Sequence, residues 1–345
     1  MRIFVGIFAF ALHFTSAYAQ AAADFLSITP DARAAGVGSA GAALSPDASA
    51  QHHNVARYAF APNVGGAALS YIPWTLENAG SMAAYYAAGF YRFERTAVSA
   101  SVRFNNMGDI ILTPDGQNFS TQSLNDFAID MGYSRQITRH ISAGVALRYV
   151  SVVRAELGGM TSSGAVAADV GAYFRLPVER NAFSAGLSLA NVGTALDYGN
   201  NLSMSLPMSL NIGAGYFFNT LNNSSLSVSL NAAQPLVAQQ GGEGVSLKQS
   251  LLSAGVEYGF MQMFFARAGY AYNSKSYGDQ SHLAFGAGVL WRSISLDAAY
   301  LYSTSKRDNA LVNVVRVTLG FVFAPLKDPK KQRLQPINPC NSCPD

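Results

Sequence analysis

The sequence is poor in charged residues. Asp, Glu, Lys and Arg make up 12% of the 345 residues, about half of the roughly 25% that is typical of soluble globular proteins. The net charge of +3 is spread along the chain without a polybasic block, which excludes the electrostatic surface of a nucleic-acid-binding protein. The chain therefore lacks the residues with which a soluble protein covers its surface.

Long uninterrupted apolar runs are also missing. Beyond the N-terminus, no stretch reaches the roughly 18 to 20 apolar residues that a membrane-spanning helix requires. The apolar stretch 3–14 is too short for such a helix, and it lies between Arg2 and an Ala-Tyr-Ala cleavage pattern at 17–19. Residues 1–19 are therefore predicted to be a removable signal peptide, and the mature chain is predicted to begin near Gln20 in the periplasm.

Only two cysteines occur, Cys340 and Cys343, in one C-x-x-C pair near the C-terminus. One pair cannot complete a structural zinc site, which takes four ligands, and no thioredoxin-like βαβ pattern surrounds it. In an oxidising compartment the pair is interpreted as a local disulfide or as a tail feature without further consequence. A redox or metal role is the alternative.

What the sequence does contain is a two-residue alternation that repeats between residues 64 and 323. In segment 282–291 the odd-numbered positions are Leu, Phe, Ala, Val and Trp, whereas the even-numbered positions include His, Ala and Gly. Neighbouring side chains on a strand point to opposite faces, and about fourteen such segments are typical of a transmembrane β-barrel. The predicted strands span approximately 64–72, 81–92, 95–105, 125–135, 140–153, 165–175, 182–191, 208–218, 224–233, 250–260, 262–272, 282–291, 293–303 and 313–323.

A soluble β-sandwich also alternates, and the position of the charges distinguishes the two folds. A soluble protein exposes its charges, whereas a barrel in lipid turns them into the lumen. The sequence therefore predicts an all-β fold, a transmembrane antiparallel β-barrel of about 14 strands in the bacterial outer membrane; twelve or sixteen strands stay open if a loop hides a hairpin or segment 224–233 fails to pair. The strand charges that share the face of the small residues are Arg103, Asp130, Arg148, Asp169, Arg175, Glu257, Arg267, Asp297 and Arg316.

The predicted connections alternate in length. The longer ones follow the odd-numbered strands, and most of those after even-numbered strands are compact. Outer-membrane barrels keep short turns in the periplasm and long loops outside. We therefore expect the loops at the cell surface, both termini in the periplasm, and a Pro- and Lys-rich periplasmic tail over 324–345.

Residues 20–63 are rich in Ala and Gly and differ from the barrel strands. Thr29 followed by Pro30 is a helix-start signal, and residues 45–47 are interpreted as a second start. A barrel of about fourteen strands is too wide for its own side chains to fill, so these residues are predicted to form a plug inside the lumen. A loosely ordered periplasmic strap is the alternative.

Three runs of residues, 25–38, 48–60 and 69–74, carry a resemblance to a known family. They resemble the N-terminus of the PorV family of the type IX secretion system, within the wider FadL-like outer-membrane barrels. Ala35, Val55 and the pair at 52–53 depart from the family pattern. The motif positions that match it are Asp31, Arg33, Gly36, Gly38, Asn54 and Tyr58.

The resemblance implies a non-enzymatic role in protein transport. PorV-type proteins bind the C-terminal domain of secreted cargo at the translocon and deliver the cargo to the sortase-containing attachment complex at the cell surface. The implied partners are therefore cargo C-terminal domains, the type IX translocon, the attachment complex and outer-membrane lipid, without nucleic acid. The alternative is a FadL-like channel for fatty acids or other hydrophobic compounds.

Two of the predicted exterior loops, 106–125 and 192–207, carry apolar residues that fit such contacts. Apolar side chains on exposed loops are unusual unless they meet a partner. An equal alternative is that they fold over the barrel mouth as a lid. The residues predicted to bind a partner are Ile110, Ile111, Leu112, Phe119, Leu196, Tyr198, Leu202 and Met204.

Catalytic and metal-binding patterns were not found in the sequence. Asp109 and Asp115 share one predicted loop, but Asp115 precedes a glycine and is better interpreted as part of a turn. His52 and His53 have no further histidine nearby and are interpreted as hydrogen-bonded residues of a polar lumen. Opposite strand charges are interpreted as ion pairs across the barrel interior. We therefore predict no enzymatic activity, cofactor or metal.

Overall fold

The structure is a computed structural model that describes residues 23–75, 81–112, 120–156, 159–199, 202–220, 223–237, 249–273, 281–305 and 313–323. Several predictions concern residues outside these ranges: the signal peptide at 1–19, the mature start at Gln20, Asp115, Phe119, the tail at 324–345 and its Cys340 and Cys343. Within the described residues, no helix has the length and hydrophobicity that crossing a membrane demands.

The described residues form an all-β structure. Its strands are β1 (Gly65–Thr75), β2 (Ser81–Phe93), β3 (Thr96–Leu112), β4 (Ser120–Gln136), β5 (Ile141–Glu156), β6 (Gly159–Val178), β7 (Asn181–Gly193), β8 (Leu196–Asp197), β9 (Ser203–Met204), β10 (Ser209–Asn219), β11 (Ser225–Pro235), β12 (Leu251–Phe260), β13 (Phe264–Tyr272), β14 (His282–Trp291), β15 (Ile294–Ser303) and β16 (Val314–Phe323). All except β8 and β9 belong to one closed antiparallel barrel, in which β1 pairs with β16 to complete the sheet. The predicted barrel of about 14 strands is confirmed, and the weak segment 224–233 is strand β11.

Three strands are clearly longer than predicted. β3, β4 and β6 extend five to seven residues further toward the long connections than the alternation suggested. The β3–β4 ladder continues from Asp109 and Ser123 to Leu112 and Ser120 beyond a register shift at Asn106. Backbone pairing does not need the two-residue alternation that lipid imposes on the strand middles, so the sequence pattern does not reveal these strand ends.

The burial pattern is the inverse of that of a soluble protein. Large apolar side chains point outward, among them Met131 at 71% exposed and Leu147 at 62%. Eight of the nine strand charges predicted to face the lumen are buried, and Arg175 is half-buried. An apolar exterior around a charged interior is the pattern expected of a barrel surrounded by lipid.

The two ends of the barrel differ in their connections. At one end, short connections follow strands β2, β4, β6, β10, β12 and β14. They are 94–95, 137–140, 179–180, 220–224, 261–263 and 292–293. We call the end that carries them the turn end. The opposite strand ends lie at the other end of the barrel, which we call the loop end.

Residues 23–64, the N-terminal segment, lie against the inward faces of the strands. The segment contains a 3-10 helix (Asp24–Ser27), α1 (Ala32–Gly36), α2 (Ala50–His53) and a second 3-10 helix (Val55–Phe60). Its start packs beside Val150 and Val152 near the loop end, and Tyr58 packs beside Phe90 and Ala97 near the turn end. The segment therefore runs from the loop end to the turn end, where β1 begins.

Helix α1 begins two residues later than the sequence suggested. Asp31, in an extended conformation, is the N-cap, and its Oδ1 accepts a hydrogen bond from the Ala34 amide at 2.7 Å. The carbonyl of Thr29 accepts instead from Arg316 of β16. The predicted start at 45–47 is likewise displaced, because α2 begins at Ala50. At the first start the capping bond of Asp31 outweighs the local signal. At the second, Ser45 and Asp47 bind the side chain of Arg33.

Candidate functional site

Arg33 joins the N-terminal segment to the barrel wall through a bidentate ion pair. Its Nε and Nη2 atoms lie 2.9 and 2.8 Å from the two carboxylate oxygens of Glu257 on β12. Its Nη1 atom donates to Asp47 of the segment at 2.8 Å. Bidentate, charge-assisted hydrogen bonds of this kind are among the strongest in proteins. Arg33 therefore holds two parts of the segment to one point of the wall.

The contact at Glu257 continues along the wall. Arg267 on β13 donates through Nε to Glu257 at 2.6 Å and through Nη1 to Asp297 on β15 at 2.7 Å. The charges alternate in sign from Asp47 through Arg33, Glu257 and Arg267 to Asp297. We call these five residues the Glu257 chain. Because each inner member touches two opposite charges, removing one leaves its neighbours buried without compensation.

A second ion-pair cluster lies on the opposite part of the wall. Arg148 on β5 pairs with Asp130 on β4 and, at 2.9 Å, with Asp169 on β6. It also donates to Asn191, and the hydroxyl of Ser101 donates to Asp130 at 2.7 Å. The interpretation of the strand charges as pairs across adjacent strands is confirmed here. This cluster joins strands to one another and does not contact the N-terminal segment.

His52 is held next to a positive charge. Arg103 of β3 donates to His52 Nδ1 and to the carbonyl of Leu26, both at 2.8 Å. A guanidinium group only donates hydrogen bonds, so Nδ1 of His52 is the acceptor and the imidazole is neutral. Burial lowers the pKa of His52 well below its usual range, and the charge of Arg103 lowers it further.

Acid is therefore expected to loosen the N-terminal segment. An unfolded or released His52 takes up a proton below about pH 6.5, whereas the packed His52 does not, so stability falls as the pH drops through that value. The loss is up to about 1.4 kcal/mol per pH unit. The urea midpoint of the purified protein should be lower at pH 5 than at pH 7.5, and His52→Gln should remove most of this difference. An equal shift in the variant would contradict the assignment to His52.

The pKa of Asp31 is lowered like that of His52, but for a carboxyl this favours the charged form. Burial by itself raises the pKa of this carboxyl, but the hydrogen bond and charge of His53 and the amide of Ala34 together hold its pKa below the usual value. His53 Nε2 lies 3.1 Å from Asp31 Oδ2. The two histidines that the sequence assigned to a polar lumen are thus bonded to different partners, one to a cation and one to an anion.

Two further motif residues also hold the segment in place. The Asn54 side chain accepts from the Ala56 amide at 3.1 Å and donates to the carbonyl of Ala172 on β6 at 2.9 Å. The Tyr58 hydroxyl donates to the Ala48 carbonyl at 2.8 Å, and its ring stacks on Phe90 with centroids 4.8 Å apart. Both residues therefore attach the segment to itself and to the wall.

The motif glycines are explained by close approach to the wall. A Cβ on Gly36 would lie 3.1 Å from Gly286 Cα on β14. Gly38 has a φ of +69°, and a Cβ there would lie 2.8 Å from the Tyr270 amide nitrogen. Any other residue at Gly38 would be strained in its backbone and would overlap β13.

The apolar residues of the predicted loop 192–207 do not lie on a free surface. The β8–β9 hairpin folds inward, and Leu196, Tyr198 and Met204 are at most 5% exposed. They pack with Phe25 and Leu26 at the start of the N-terminal segment. Their burial is the arrangement expected of the alternative in which the loop folds over the barrel mouth. Partner binding by these three residues stays a prediction.

The other predicted contact residues have different positions. Leu202, at the tip of the hairpin, is 38% exposed. Ile110, Ile111 and Leu112 lie on β3 and not in a loop, paired with residues 120–122 of β4, and the structure describes only their backbone. Asp109 also lies on β3, paired with Ser123, and only its backbone is described. Partner binding by Ile110, Ile111, Leu112, Phe119 and Leu202 stays a prediction.

Arg57 is a site residue that the sequence reasoning missed. It is fully buried, and it donates to the carbonyls of Leu44 at 2.9 Å and Ser45 at 2.7 Å. The available signal is that Arg57 and Arg33 are the two arginines of an otherwise Ala-rich segment, because such charges have to find acceptors when the segment is buried. In the described residues, no group of three or more His, Cys, Asp or Glu side chains is placed to hold a metal ion.

The fold is similar to that of known channels. The Pseudomonas putida toluene transporter TodX has a TM-score of 0.55 at 11% identity, over 83% of this chain and 95% of that one. The monoaromatic hydrocarbon channel CymD has a TM-score of 0.55 at 14% identity, over 86% and 98%. At these identities the likeness shows the barrel fold alone.

The sequence comparison is more specific than the fold. No curated protein sequence shows significant similarity to the chain. Residues 15–240 do match the family described as type IX secretion system protein PorV, and the predicted PorV family is thereby confirmed. Because this match spans well over half of the 345 residues, the chain belongs to the PorV family of type IX secretion system proteins.

Proposed function

We propose that this protein is the outer-membrane shuttle subunit of a type IX secretion system. In this proposal it binds the C-terminal signal domain of secreted cargo and delivers the cargo from the translocon to the sortase-containing attachment complex at the cell surface. The family match over residues 15–240 carries the proposal. The match includes the N-terminal segment with Arg33 and Asp47 and the strands through β11.

The packing of the lumen supports a docking role over that of an open pore. The N-terminal segment contacts strands β3–β6 through its second 3-10 helix and β13–β16 through α1. The two helices thus bind opposite parts of the wall. We propose that the segment is a plug, that the loop end faces the cell exterior and that partners bind at the barrel rims.

The tip of the β8–β9 hairpin presents an exposed apolar side chain, Leu202, at the loop end. Leu202 lies in a turn closed by hydrogen bonds between Tyr198 and Leu202 (3.0 Å) and between Leu202 and Gly199 (2.8 Å). The buried Leu196 and Met204 fix the base of the hairpin. A rigid base under an exposed apolar tip is the arrangement expected of an interface anchor.

Leu202→Asp is expected to weaken binding of a purified cargo C-terminal domain about tenfold, because a desolvated apolar anchor contributes roughly 1–2 kcal/mol. Biolayer interferometry with the protein in detergent measures this. Asp197→Asn, a change at an exposed polar position of the same hairpin, is the matched control and should leave affinity unchanged. Equal affinities for wild type and Leu202→Asp would remove Leu202 from the interface.

Deletion of the gene tests the function itself. We expect cargo with a C-terminal signal domain to accumulate in the periplasm, with less than about a tenth of the wild-type amount in the medium, because delivery is a single step without a bypass in this proposal. Immunoblots of both fractions measure the distribution, and complementation with the wild-type gene should restore it. Normal secretion by the deletant would refute the shuttle function.

A channel for hydrophobic compounds is the second candidate. A small, mostly apolar cleft of about 20 Å³ lies between Phe25, Ile28 and Pro30 of the segment and the wall at Ile72 and Tyr86. The fold is shared with a toluene transporter and a monoaromatic hydrocarbon channel. Gene-dependent uptake of a labelled fatty acid, with secretion intact, would favour this function over the shuttle.

A further inference from the structure

Strand β6 extends further toward the loop end than its neighbour β7. Its pairing with β5 continues to Gly159 at the start of the strand. Its pairing with β7, in contrast, ends where Ala167 pairs with Gly193. Residues 159–166 of β6 therefore have a neighbouring strand on one side only. We call residues 159–166 the β6 edge.

A bulge in the wall ends the pairing between β6 and β7. The register shifts at Asp169, whose carboxylate accepts a hydrogen bond from the Asn191 amide at 2.7 Å. Asn191 has a φ of +59°, and a bulged strand bends at such a point. The Thr194 amide makes one more bond, to the Val166 carbonyl at 2.9 Å, and the chain then folds inward as the β8–β9 hairpin. The open side of the β6 edge is thus fixed by contacts within the wall.

The open side presents backbone groups of three residues. Successive residues of a strand direct their N–H and C=O groups alternately to the two sides. Val166 bonds toward the side of β7, to Thr194, so the groups of Met160, Ser162 and Gly164 point to that side as well. Among the residues that the structure describes, no backbone group of 159–165 bonds to a strand other than β5. At about 3.4 Å per residue the edge is about 27 Å long, which is enough for a strand of typical length.

The β6 edge lies outside the hydrocarbon layer. Tyr149 pairs with Val166 and faces outward at 48% exposed. Its ring packs beside that of Phe127, with centroids 6.1 Å apart, and outward aromatic rings mark the membrane interface. The edge continues from Val166 away from the middle of the barrel, where lipid chains do not cover it. Water therefore reaches its backbone groups, which hydrocarbon would not tolerate unpaired.

The β6 edge lacks the features that usually protect a free strand. Natural proteins protect free edges with charged residues, with proline, or with a covering loop or helix. Residues 159–166 contain neither charge nor proline, and Ser162 and Gly164 are exposed. The other side of the β5–β6 hairpin differs, because there the Asp126 carboxylate accepts from the Val153 amide at 3.0 Å. The β6 edge is therefore open to pairing with another strand.

The position of the edge favours the partner that the proposed function assigns to the loop end. The β8–β9 hairpin leaves the wall beside the edge, since it follows β7, and β8 contacts β6. The tip of this hairpin carries the exposed Leu202. A strand on the β6 edge is therefore continuous with the apolar contact proposed for Leu202. Backbone bonds supply affinity in this kind of recognition with little dependence on the partner's side chains, which suits one surface that receives several cargo domains.

We propose that the β6 edge binds an extended strand of the cargo C-terminal domain, which extends the barrel sheet at the loop end. The inference rests on the proposed function and adds the mode of binding to it. The N–H and C=O groups of Met160, Ser162 and Gly164 bond to the backbone of the partner strand. A free N–H at these positions matters more for binding than the identity of the side chain.

Ser162→Pro tests the backbone contact. Proline removes the Ser162 N–H, which points away from β5, and proline is tolerated at an edge of this kind. The variant should bind the purified cargo C-terminal domain at least tenfold more weakly than wild type, in biolayer interferometry with the full-length protein in nanodiscs. Ser162→Ala keeps the N–H and is the matched control, expected within twofold of wild type. A heat-dependent mobility shift on SDS gels verifies that both variants are folded barrels.

Hydrogen–deuterium exchange of the wild-type protein is a second measurement that needs no variant. Addition of the cargo domain should slow exchange of the amides of Met160, Ser162 and Gly164 at least tenfold. The amides of Thr161 and Ser163 point toward β5 and should change little. This alternation distinguishes strand pairing from general shielding of the surface.

Four results would overturn the inference. Cargo binding with unchanged exchange at the β6 edge, or with equal affinities of the two Ser162 variants, would remove the edge from the interface and leave the shuttle function standing. Slow exchange without cargo that depends on protein concentration would assign the edge to a second copy of the chain. Slow exchange without cargo at every concentration would assign it to the chain's own loops. Absence of cargo binding by wild type would reject the proposed function together with this mode of binding.

Discussion

Glu257→Ala is expected to lower the unfolding free energy of the protein by about 3–5 kcal/mol. The substitution removes the carboxylate between Arg33 and Arg267, whose side chains are only 17% and 2% exposed. Both guanidinium groups then stay in the lumen without their shared counter-ion, and Arg33 loses its attachment to the wall. Urea unfolding of the purified barrel in detergent, followed by tryptophan fluorescence, measures the change.

The same substitution should also release the N-terminal segment locally. Trypsin cleavage after Arg33 is expected to be at least tenfold faster than in wild type, because Arg33 must leave the wall to be cut. Glu179→Ala removes an exposed glutamate from a tight turn and is the matched control, expected within about 0.5 kcal/mol of wild type. If Glu257→Ala were as stable as this control, the Glu257 chain would not hold the segment.

A double-mutant cycle separates the ion pair from the general loss of charge. In the Glu257→Ala background, Arg33→Met should cost less than in wild type, because Arg33 has already lost its wall partner and keeps only the ion pair with Asp47 within the segment. In the wild-type background it should be clearly destabilising, since it leaves Glu257 with one arginine partner. Coupling of 0.5–3 kcal/mol, roughly the range for residues in contact, is expected between the two positions.

Gly269→Ala is expected to dislodge the segment by sterics alone. A Cβ at this position on β13 would overlap the carbonyl carbon of Val37 and the amide nitrogen of Gly38. Both are backbone atoms at the end of α1, so no side-chain rotation relieves the overlap. We expect a loss of about 1–3 kcal/mol and faster cleavage after Arg33, with the barrel itself still folded on SDS gels.

Ala268→Val is the matched control for this substitution. Ala268 neighbours Gly269 on the same strand but points outward and is exposed, so added carbons there meet lipid. The control should therefore unfold at the wild-type urea midpoint. Cleavage rates that are equal in Gly269→Ala, Ala268→Val and wild type would show that the segment does not approach β13 as closely as described.

The contacts of Glu257 were predictable from the sequence only in part. The sequence placed Glu257 and Arg267 on the lumen face and predicted that such charges pair across adjacent strands, as they do. It also selected Arg33 as a motif residue. It contained no indication that Arg33 pairs with Glu257, because the two residues are 224 positions apart and meet only when the segment lies inside the closed barrel.

The positions of the apolar residues in loop 192–207 were likewise not predictable from the sequence. Leu196, Tyr198 and Met204 are apolar in a polar stretch, which the sequence interpreted equally as partner contacts or as a lid over the mouth. Their burial against Phe25 and Leu26 depends on where the start of the N-terminal segment lies. No local pattern contains that information, because the two stretches are separated by about half of the barrel.

The sequence by itself determined the class of the fold, the face of each strand that meets lipid and the length of most strands. These properties follow from the two-residue period of a strand and from the cost of placing charge in lipid, both of which act on neighbouring residues. Only the tertiary structure decided which wall residues contact Arg33, Asn54 and Gly38. It alone also decided that the β8–β9 hairpin folds inward. Those contacts depend on the path of a segment of about forty residues through the lumen, and that path is set by packing and ion pairs between residues far apart in the chain.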